Sequence, residues 1–224
     1  MMKAMILAAG LGKRLMPLTQ HTPKPLILIG KQSLIERNIF CLKQNGISEI
    51  IINVSYQGEM IIDYVSQRFP DLNISFSKED ELLGTGGAIL NVLPFFNEKP
   101  FLLMNADIFH NIEIKNLPQD TKKAHLVGVP NPNHNINGDF SLKQSIVSIA
   151  NRENDLTWSG ISVINPIIFK ENSFQSNSFN IWDSVLPKYI DNGEVTGEKS
   201  NELWIDVGTS DRLELANQIL KEEN

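Results

Sequence analysis

The sequence predicts an α/β fold with a mostly parallel, doubly wound sheet and helices on both of its faces. In the first half of the chain, short apolar runs typical of buried strands alternate with segments of helical periodicity. In the second half this alternation loosens into several short strand-like runs separated by loop signals, which indicates a small additional β lobe. No low-complexity linker or internal repeat divides the 224 residues. We therefore expect a single domain over residues 1–224.

The elements of the first half each have a local signal. Residues 3–9 are apolar and end in small residues, which predicts a strand buried on both faces. Residues 33–44 predict a helix, because Ser33 and Glu36 form a capping box and apolar residues recur on one side. Further strands are predicted at 49–54, 73–77 and 100–104, and helices at 58–69 and from 87 to 93. Strand–helix–strand order of this kind predicts a Rossmann-like parallel sheet.

The second half is predicted to extend the same sheet. Strands are expected at 124–129, 138–142, 145–149, 157–164 and 203–207, and helices at 181–191 and 211–222. The four histidines are scattered and lack the spacing of metal ligands. We expect His125 to be a structural strand residue, and His21, His110 and His134 to lie in loops.

Composition and charge exclude several classes of protein. The formal net charge is −6 and no basic stripe is present, which argues against nucleic acid as the main partner. Cys41 is the only cysteine, so neither an internal disulfide nor a thiolate metal cluster can form. No apolar run approaches the roughly 20 residues that span a membrane. We therefore expect a cytoplasmic protein without a membrane partner.

A glycine-rich segment, LAAGLGKRLMPLT, follows the first predicted strand at residues 7–19. Its small residues let the backbone approach a ligand, and its N–H groups can bind an anion or a base edge. Arg14 adds a planar cation suited to phosphate oxygens. The dinucleotide fingerprint requires glycine where Leu15 stands, and Gly12-Lys13-Arg14 lacks the hydroxyl residue of a P-loop. A purely structural tight turn remains open for the glycines alone.

Three charged residues lie in segments that restrict them, one between two prolines and two at apolar strands. Lys24 lies between Pro23 and Pro25, which restrict the backbone and favour extended geometry in the residues before them. Asp107 follows an apolar strand, and Asp206 interrupts another. A carboxylate at the end of a buried strand is unfavourable unless it is paired or bound to metal. Ligands of open α/β sheets bind at this edge, although a cap or turn role remains open for each aspartate.

Together these segments resemble the sugar nucleotidyltransferase family. The family signature, Leu-Ala-Ala-Gly-x-Gly-x-Arg-(Leu/Met)-x-Pro-Leu-Thr followed by Pro-Lys-Pro-Leu, is present at every fixed position within residues 7–26. Residues 83–88 (LGTGGA) resemble its second nucleotide loop, and residues 101–107 (FLLMNAD) and 204–209 (WIDVGT) resemble its two metal segments. One departure is Ala106, where the family usually has glycine. If this position required positive φ, alanine would be strained by about 1 kcal/mol or more.

The resemblance is greatest to the N-acetylmuramate-1-phosphate uridylyltransferase branch. The short length and the segments at 137–140 (NGDF) and 158–162 (WSGIS) support this branch. It implies transfer from UTP to N-acetylmuramate 1-phosphate, with release of pyrophosphate, in peptidoglycan recycling. Mannose-, glucose- or heptose-1-phosphate transferases that use GTP, dTTP or UTP remain alternatives. A non-catalytic nucleotide-sugar sensor on the same fold is the alternative of another class.

The resemblance also implies the site residues. The catalytic set is Arg14, Lys24, Asp107 and Asp206, and the two aspartates would hold Mg²⁺, with Mn²⁺ as the alternative cation. Residues expected at the nucleotide are Ala8, Ala9, Gly10, Leu11, Gly12, Lys13, Gly84, Gly86, Gly87 and Asn105. Residues expected at the sugar are Asn105, Gly138, Asp139, Glu153 and Ser159, for which plain surface-loop roles stay open.

This assignment makes residues 1–110 the nucleotide-binding half and residues 111–224 the sugar-phosphate-binding half, with the β lobe on the acceptor side. The expected partners are small molecules, a nucleoside triphosphate and a sugar 1-phosphate. The sequence has no hexapeptide β-helix repeat that could drive trimerisation. We therefore expect a monomer or a weak homodimer.

Overall fold

The computed structural model describes residues 2–150 and 152–222. Its strands are β1 (Ala4–Leu7), β2 (Leu28–Ile29), β3 (Gln32–Ser33), β4 (Glu49–Val54), β5 (Asn73–Lys78), β6 (Phe101–Asn105), β7 (Ile108–His110), β8 (Ala124–Pro130), β9 (Ser141–Lys143), β10 (Ile146–Ser148), β11 (Leu156–Ile164), β12 (Val195–Lys199) and β13 (Trp204–Asp206). Its α-helices are α1 (Leu34–Gln44), α2 (Gly58–Arg68), α3 (Gly84–Asn91), α4 (Ile167–Lys170), α5 (Ile181–Ser184), α6 (Leu186–Asp191) and α7 (Ser210–Glu222). No helix of the described part has the length and apolar composition needed to span a lipid bilayer.

Nine strands form the central sheet, in the order β5-β4-β1-β6-β11-β8-β12-β10-β9. Strands β5, β4, β1 and β6 are mutually parallel. Strand β11 runs antiparallel between β6 and β8, and it joins the parallel half to the second-half strands. Strand β12 returns parallel to β8. The predicted α/β fold is therefore confirmed, with a mixed rather than uniform strand direction in the second half.

Both faces of the sheet are buried, as the first apolar run predicts. Ile6 packs into the core on one face, together with Ile39 of α1 and Ile61 of α2. Its neighbour Met5 packs into the core on the other face, with Ile89 of α3. Neighbouring strand residues point to opposite faces, so a strand with a core on each side must be apolar throughout. The helices cover both faces, as expected.

Strand β12 of the central sheet was not predicted, and two predicted elements take a different form. The strand expected at 203–207 does not join the central sheet, because β13 pairs antiparallel with β7 in a separate two-stranded sheet. His110 was expected to lie in a loop, but it lies on β7. The helix expected at 181–191 is divided into α5 and α6. Pro187 explains this break, because its nitrogen has no hydrogen to donate to the preceding turn.

A buried carboxylate joins α1 to α2. The predicted capping box forms, since Ser33 Oγ accepts the Glu36 N–H at 3.2 Å and the Glu36 carboxylate accepts a backbone bond from Ser33. That carboxylate also accepts bonds from the Tyr64 hydroxyl at 2.6 Å and from Arg68 Nε at 2.9 Å. Burial alone would raise the pKa of Glu36, but the bonds from Tyr64 and Arg68 outweigh it and hold the pKa below its ordinary value.

We expect Glu36→Gln to lower the free energy of unfolding by about 1–3 kcal/mol at neutral pH, because a charged acceptor of two side-chain bonds is lost. Because the pKa of Glu36 is lowered in the folded protein, its carboxylate stabilises the fold at pH values above the ordinary carboxylate pKa. This stabilisation is lost as the pH falls through the pKa that Glu36 has in the folded protein. The difference between the two proteins should therefore shrink below about pH 4. Urea unfolding at both pH values measures it.

The matched control is Glu59→Gln on α2, whose carboxylate is exposed and pairs with Lys78. An exposed ion pair contributes little, so this change should stay within about 0.5 kcal/mol. Equal effects of the two substitutions would contradict the role assigned to Glu36.

Candidate active site

A cleft of about 420 Å³ opens at the carboxyl edge of the parallel strands. Leu7 of β1, Asn53 of β4 and Asn105 of β6 all line it, and each lies at or near the carboxyl end of its strand. Open α/β sheets bind ligands in this position. The lining residues are Leu7, Ala8, Ala9, Gly10, Gly12, Lys13, Arg14, Lys24, Pro25, Asn53, Glu79, Leu82, Gly84, Thr85, Asn105, Ala106, Asp107, Asn180 and Gly208.

A buried polar bridge ties the two glycine-rich loops together. Asn53 Oδ1 accepts the Ala8 N–H at 2.8 Å, and Asn53 Nδ2 donates to Glu79 Oε1 at 2.8 Å. Glu79 Oε2 in turn accepts the Leu83 N–H at 3.1 Å. The first loop is thereby fixed to the start of the second through two buried side chains. Sequence reasoning missed both, although Asn53 interrupts an apolar strand near its carboxyl end, as Asp206 does.

The second loop needs glycines mainly because the segment containing Asn177 and Phe179 packs closely against it. A Cβ at Gly86 would lie 2.3 Å from the Phe179 ring, and one at Gly87 would lie 2.0 Å from the Asn177 carbonyl oxygen. Gly84 lines the cleft, whereas Gly86 and Gly87 are covered by this segment. The cleft is lined here by Thr85, which lies within the predicted loop, and by Asn180, which the sequence did not suggest.

Asp107 lies at one end of the cleft, and Asp206 lies next to it but outside the cleft lining. The Val207 N–H donates to the Asp107 carbonyl at 2.8 Å, which continues the β7–β13 pairing and sets the two acidic residues side by side. Asp107 Oδ2 accepts a charged bond from Lys24 Nζ at 2.5 Å. Asp206 Oδ1 lies 2.9 Å from both Arg212 Nη1 and His134 Nε2.

The electrostatic environment of Asp206 combines burial with opposing charges. Burial raises the pKa of Asp206, the charges of Arg212 and His134 counteract this rise, and the nearby Asp107 carboxylate adds to it. Within the described residues no cluster of three or more metal-type side chains forms. Two adjacent carboxylates are a donor set that suits a hard divalent cation, which takes its other ligands from phosphates and water. The residues present therefore fit such a metal.

The predicted cations surround this acidic pair. Lys24 lies in a short 3-10 turn (Lys24–Leu26) and not in extended backbone, because the Leu26 N–H closes a turn onto the Pro23 carbonyl at 2.8 Å. Its side chain is only 10% exposed. Arg14 is exposed at the cleft. If residue 208 carried a Cβ, that atom would lie 3.1 Å from Arg14 Nη2. Gly208 thus leaves room for the guanidinium.

Most, but not all, of the predicted nucleotide residues line the cleft. Leu11, Gly86 and Gly87 do not contribute to its lining. Ala106 is buried, and its backbone does not adopt positive φ, so alanine fits this position without strain. Ala106 N–H donates to the Leu7 carbonyl at 3.0 Å, which continues the β1–β6 pairing. The departure from the family pattern is therefore accommodated by the backbone.

The residues predicted for the sugar lie outside the cleft lining, except for Asn105. The Asp139 carboxylate accepts bonds from Trp158 N–H at 2.8 Å and from Asn135 at 3.0 Å. Ser159 Oγ accepts the Ile161 N–H at 3.1 Å. Glu153 is exposed, and Gly138 occupies a turn with φ 60. Asp139 and Ser159 thus form hydrogen bonds within the acceptor-side lobe, and contact of any of the four residues with a sugar remains a prediction.

Comparisons with known proteins show which family this chain resembles along most of its length. Residues 3–133 match the family model described as nucleotidyl transferase. The chain is 38% identical over 226 residues to the N-acetylmuramate alpha-1-phosphate uridylyltransferase of Neisseria meningitidis serogroup B, with 96% of each chain covered. It is 28% identical over 227 residues to the mannose-1-phosphate guanyltransferase of Aspergillus fumigatus, which covers 92% of this chain but only 61% of that relative.

The fold itself recurs in a crystal structure from Bacillus anthracis, provisionally assigned as a glucose-1-phosphate thymidylyltransferase. It superimposes with a TM-score of 0.87 at 21% identity and covers 100% of this chain and 97% of that one. The sheet with its cleft, the full-length similarity and the family match agree with one another. The chain therefore belongs to the nucleotidyl transferase family.

Proposed function

We propose that this protein transfers a uridylyl group from UTP to N-acetylmuramate 1-phosphate, giving UDP-N-acetylmuramate and pyrophosphate in peptidoglycan recycling. The observation that carries the chemistry is that Asp206 lies next to Asp107, which lines the cleft together with Lys24 and Arg14. The choice of sugar and base is supported by the 38% identity to a relative of that activity.

Asp107 and Asp206 would hold a divalent cation, Mg²⁺ or Mn²⁺, which would supply positive charge to the reacting phosphates. The side chains of this protein supply the rest by position and charge. The attacking oxygen belongs to the sugar phosphate, which is already anionic, so no general base is required. It attacks the α-phosphorus in line, and the bond to the leaving pyrophosphate breaks.

Lys24 and Arg14 have different positions relative to this reaction. Lys24 is largely buried against Asp107, so it would stabilise charge at the α-phosphate in a site with little competing water. Arg14 is exposed at the cleft, where its planar fork would hold the leaving pyrophosphate. Catalysis would consist of positioning and electrostatic stabilisation.

Glu79 supports a base that carries a ring N–H group. Its carboxylate lines the cleft and accepts bonds from Asn53 and Leu83, which leaves further lone pairs on both oxygens. An ionised carboxylate can only accept hydrogen bonds. Uracil, thymine and guanine present a ring N–H, whereas adenine and cytosine would reach the same carboxylate only through an exocyclic amino group. If Glu79 accepts a ring N–H, the cleft would favour UTP, dTTP or GTP over ATP and CTP.

A second candidate keeps the chemistry and changes the substrates. Glu79 suits guanine as well as uracil, and the Aspergillus relative is a mannose-1-phosphate guanyltransferase. Mannose 1-phosphate with GTP is therefore the leading alternative, followed by glucose or heptose 1-phosphates with dTTP, UTP or GTP.

A substrate panel tests these assignments. We expect purified protein with Mg²⁺ to release pyrophosphate with the highest kcat/KM from UTP and N-acetylmuramate 1-phosphate. A higher kcat/KM for GTP with mannose 1-phosphate would contradict the proposed substrates and identify the protein as a mannose-1-phosphate guanylyltransferase. If no pair released pyrophosphate, the protein would be a nucleotide-sugar sensor and not an enzyme.

Replacing a metal-binding carboxylate tests the catalytic site. Asp107→Asn should lower kcat by about 100-fold or more, since removal of a single electrostatic group at a transition state has effects of this size. The control is Asp71→Asn, an exposed carboxylate paired with Lys43 far along the chain from the site, and it should leave turnover nearly unchanged. Turnover of Asp107→Asn within about threefold of the original protein would refute the role of Asp107.

Replacing Glu79 tests the base contact. Glu79→Gln should lower kcat/KM for UTP by about tenfold, because a bond to a charged acceptor contributes about 1.5–3 kcal/mol. Glu81→Gln, an exposed neighbour on the same loop, is the control and should have little effect. A thermal melt confirms that the loops remain folded. Unchanged selectivity among UTP, ATP and CTP in Glu79→Gln would show that Glu79 does not contact the base.

A further inference from the structure

Asp206 is paired with an arginine that no role in the reaction explains. Arg212, on the first turn of α7, places Nη1 2.9 Å from Asp206 Oδ1, and its side chain is 13% exposed. His134 reaches the same oxygen from the loop after β8, also at 2.9 Å. The second predicted metal carboxylate is therefore already neutralised by side chains of the protein.

The charge of Arg212 is poorly screened by water. Its Nε and Nη2 atoms are buried and have no hydrogen-bond partner within the described residues. Nη2 lies in the space that a side chain at position 208 would need. A Cβ added to Gly208 would be only 2.3 Å from it. A desolvated guanidinium exerts a stronger field on its neighbours than an exposed one. Among the described residues, Asp206 is the carboxylate with which this cation forms an ion pair.

Permanent cations outnumber the two carboxylates. Lys24 pairs with Asp107, Arg212 pairs with Asp206, and Arg14 approaches Gly208 from the cleft. A divalent cation that arrives alone would displace these partners and face an excess of positive charge. A triphosphate brings the negative charge that Lys24, Arg14 and the metal all require.

We propose that Arg212 is a positioning residue that orients Asp206 and neutralises its negative charge until substrate arrives. The divalent metal then binds together with the triphosphate and not before it. The inference rests on the proposed function only in taking a nucleoside triphosphate as the substrate. It assigns to α7 a part in loading the metal, although no residue of that helix lines the cleft.

Mn²⁺ binding to the nucleotide-free protein tests the proposal, with free Mn²⁺ followed by electron paramagnetic resonance. Arg212→Met removes the charge and should tighten nucleotide-free Mn²⁺ binding by about tenfold or more. Arg212→Lys keeps a charge and should bind Mn²⁺ nearly as weakly as the original protein. Lys221→Met makes the same charge change at an exposed position of α7, and it should leave Mn²⁺ binding unchanged.

Turnover gives the second readout. Arg212→Met should lower kcat, because Asp206 is no longer oriented, and Arg212→Lys should recover part of it. A merely structural role predicts lower kcat with unchanged or weaker Mn²⁺ binding, and this result would overturn the proposal. If Arg212→Met does not fold, the original protein still decides, since tight Mn²⁺ binding without nucleotide, in the low micromolar range, would also overturn it.

The Mn²⁺ measurement contains neither UTP nor sugar phosphate, so it separates the two proposals. Tightened binding in Arg212→Met together with an inactive substrate panel would reject the proposed function alone. An active panel with unaltered Mn²⁺ binding would reject the role of Arg212 alone.

Discussion

Two carboxylates set side by side at the edge of a sheet repel each other, and the site is organised around compensating that repulsion. The backbone bond from Val207 to Asp107 forces the two acidic residues together. Lys24 and Arg212 then neutralise one carboxylate each. The protein thus holds in place, by strand pairing, an arrangement that would separate in water. Because the carboxylates are already paired in this way, a divalent cation needs a ligand that brings further negative charge.

The sequence predicted the parts of this structure whose causes are local. Apolar strand runs predicted a sheet buried on both faces, and the Ser33–Glu36 pair predicted the start of α1, as found. Asp107 and Asp206 stood out because a carboxylate at the end of an apolar strand is unfavourable unless it is paired or bound to metal, and both are paired in the structure. These signals need only a few neighbouring residues, and distant parts of the chain do not change them.

The remaining features depend on contacts that no local pattern encodes. Arg212 resembles any helix-surface arginine until the fold brings it to Asp206. The glycines at 86 and 87 suggested ligand contact, but the approach of Asn177 and Phe179 explains them better. Strand β13 has the composition of a sheet strand, and only its pairing with β7 shows that it lies outside the central sheet. In each case the partner is distant in sequence.

The bridge from Ala8 through Asn53 and Glu79 to Leu83 has a mechanical consequence. It holds the two glycine-rich loops of the cleft together, so we expect these loops to move as one unit. The segment containing Asn177 and Phe179 belongs to the same unit, since the Phe179 N–H donates to the Leu83 carbonyl and the Phe179 carbonyl accepts the Gly86 N–H, both at 2.9 Å. The second half of the chain thereby braces the second loop, and it cannot move away from that loop without breaking these backbone bonds.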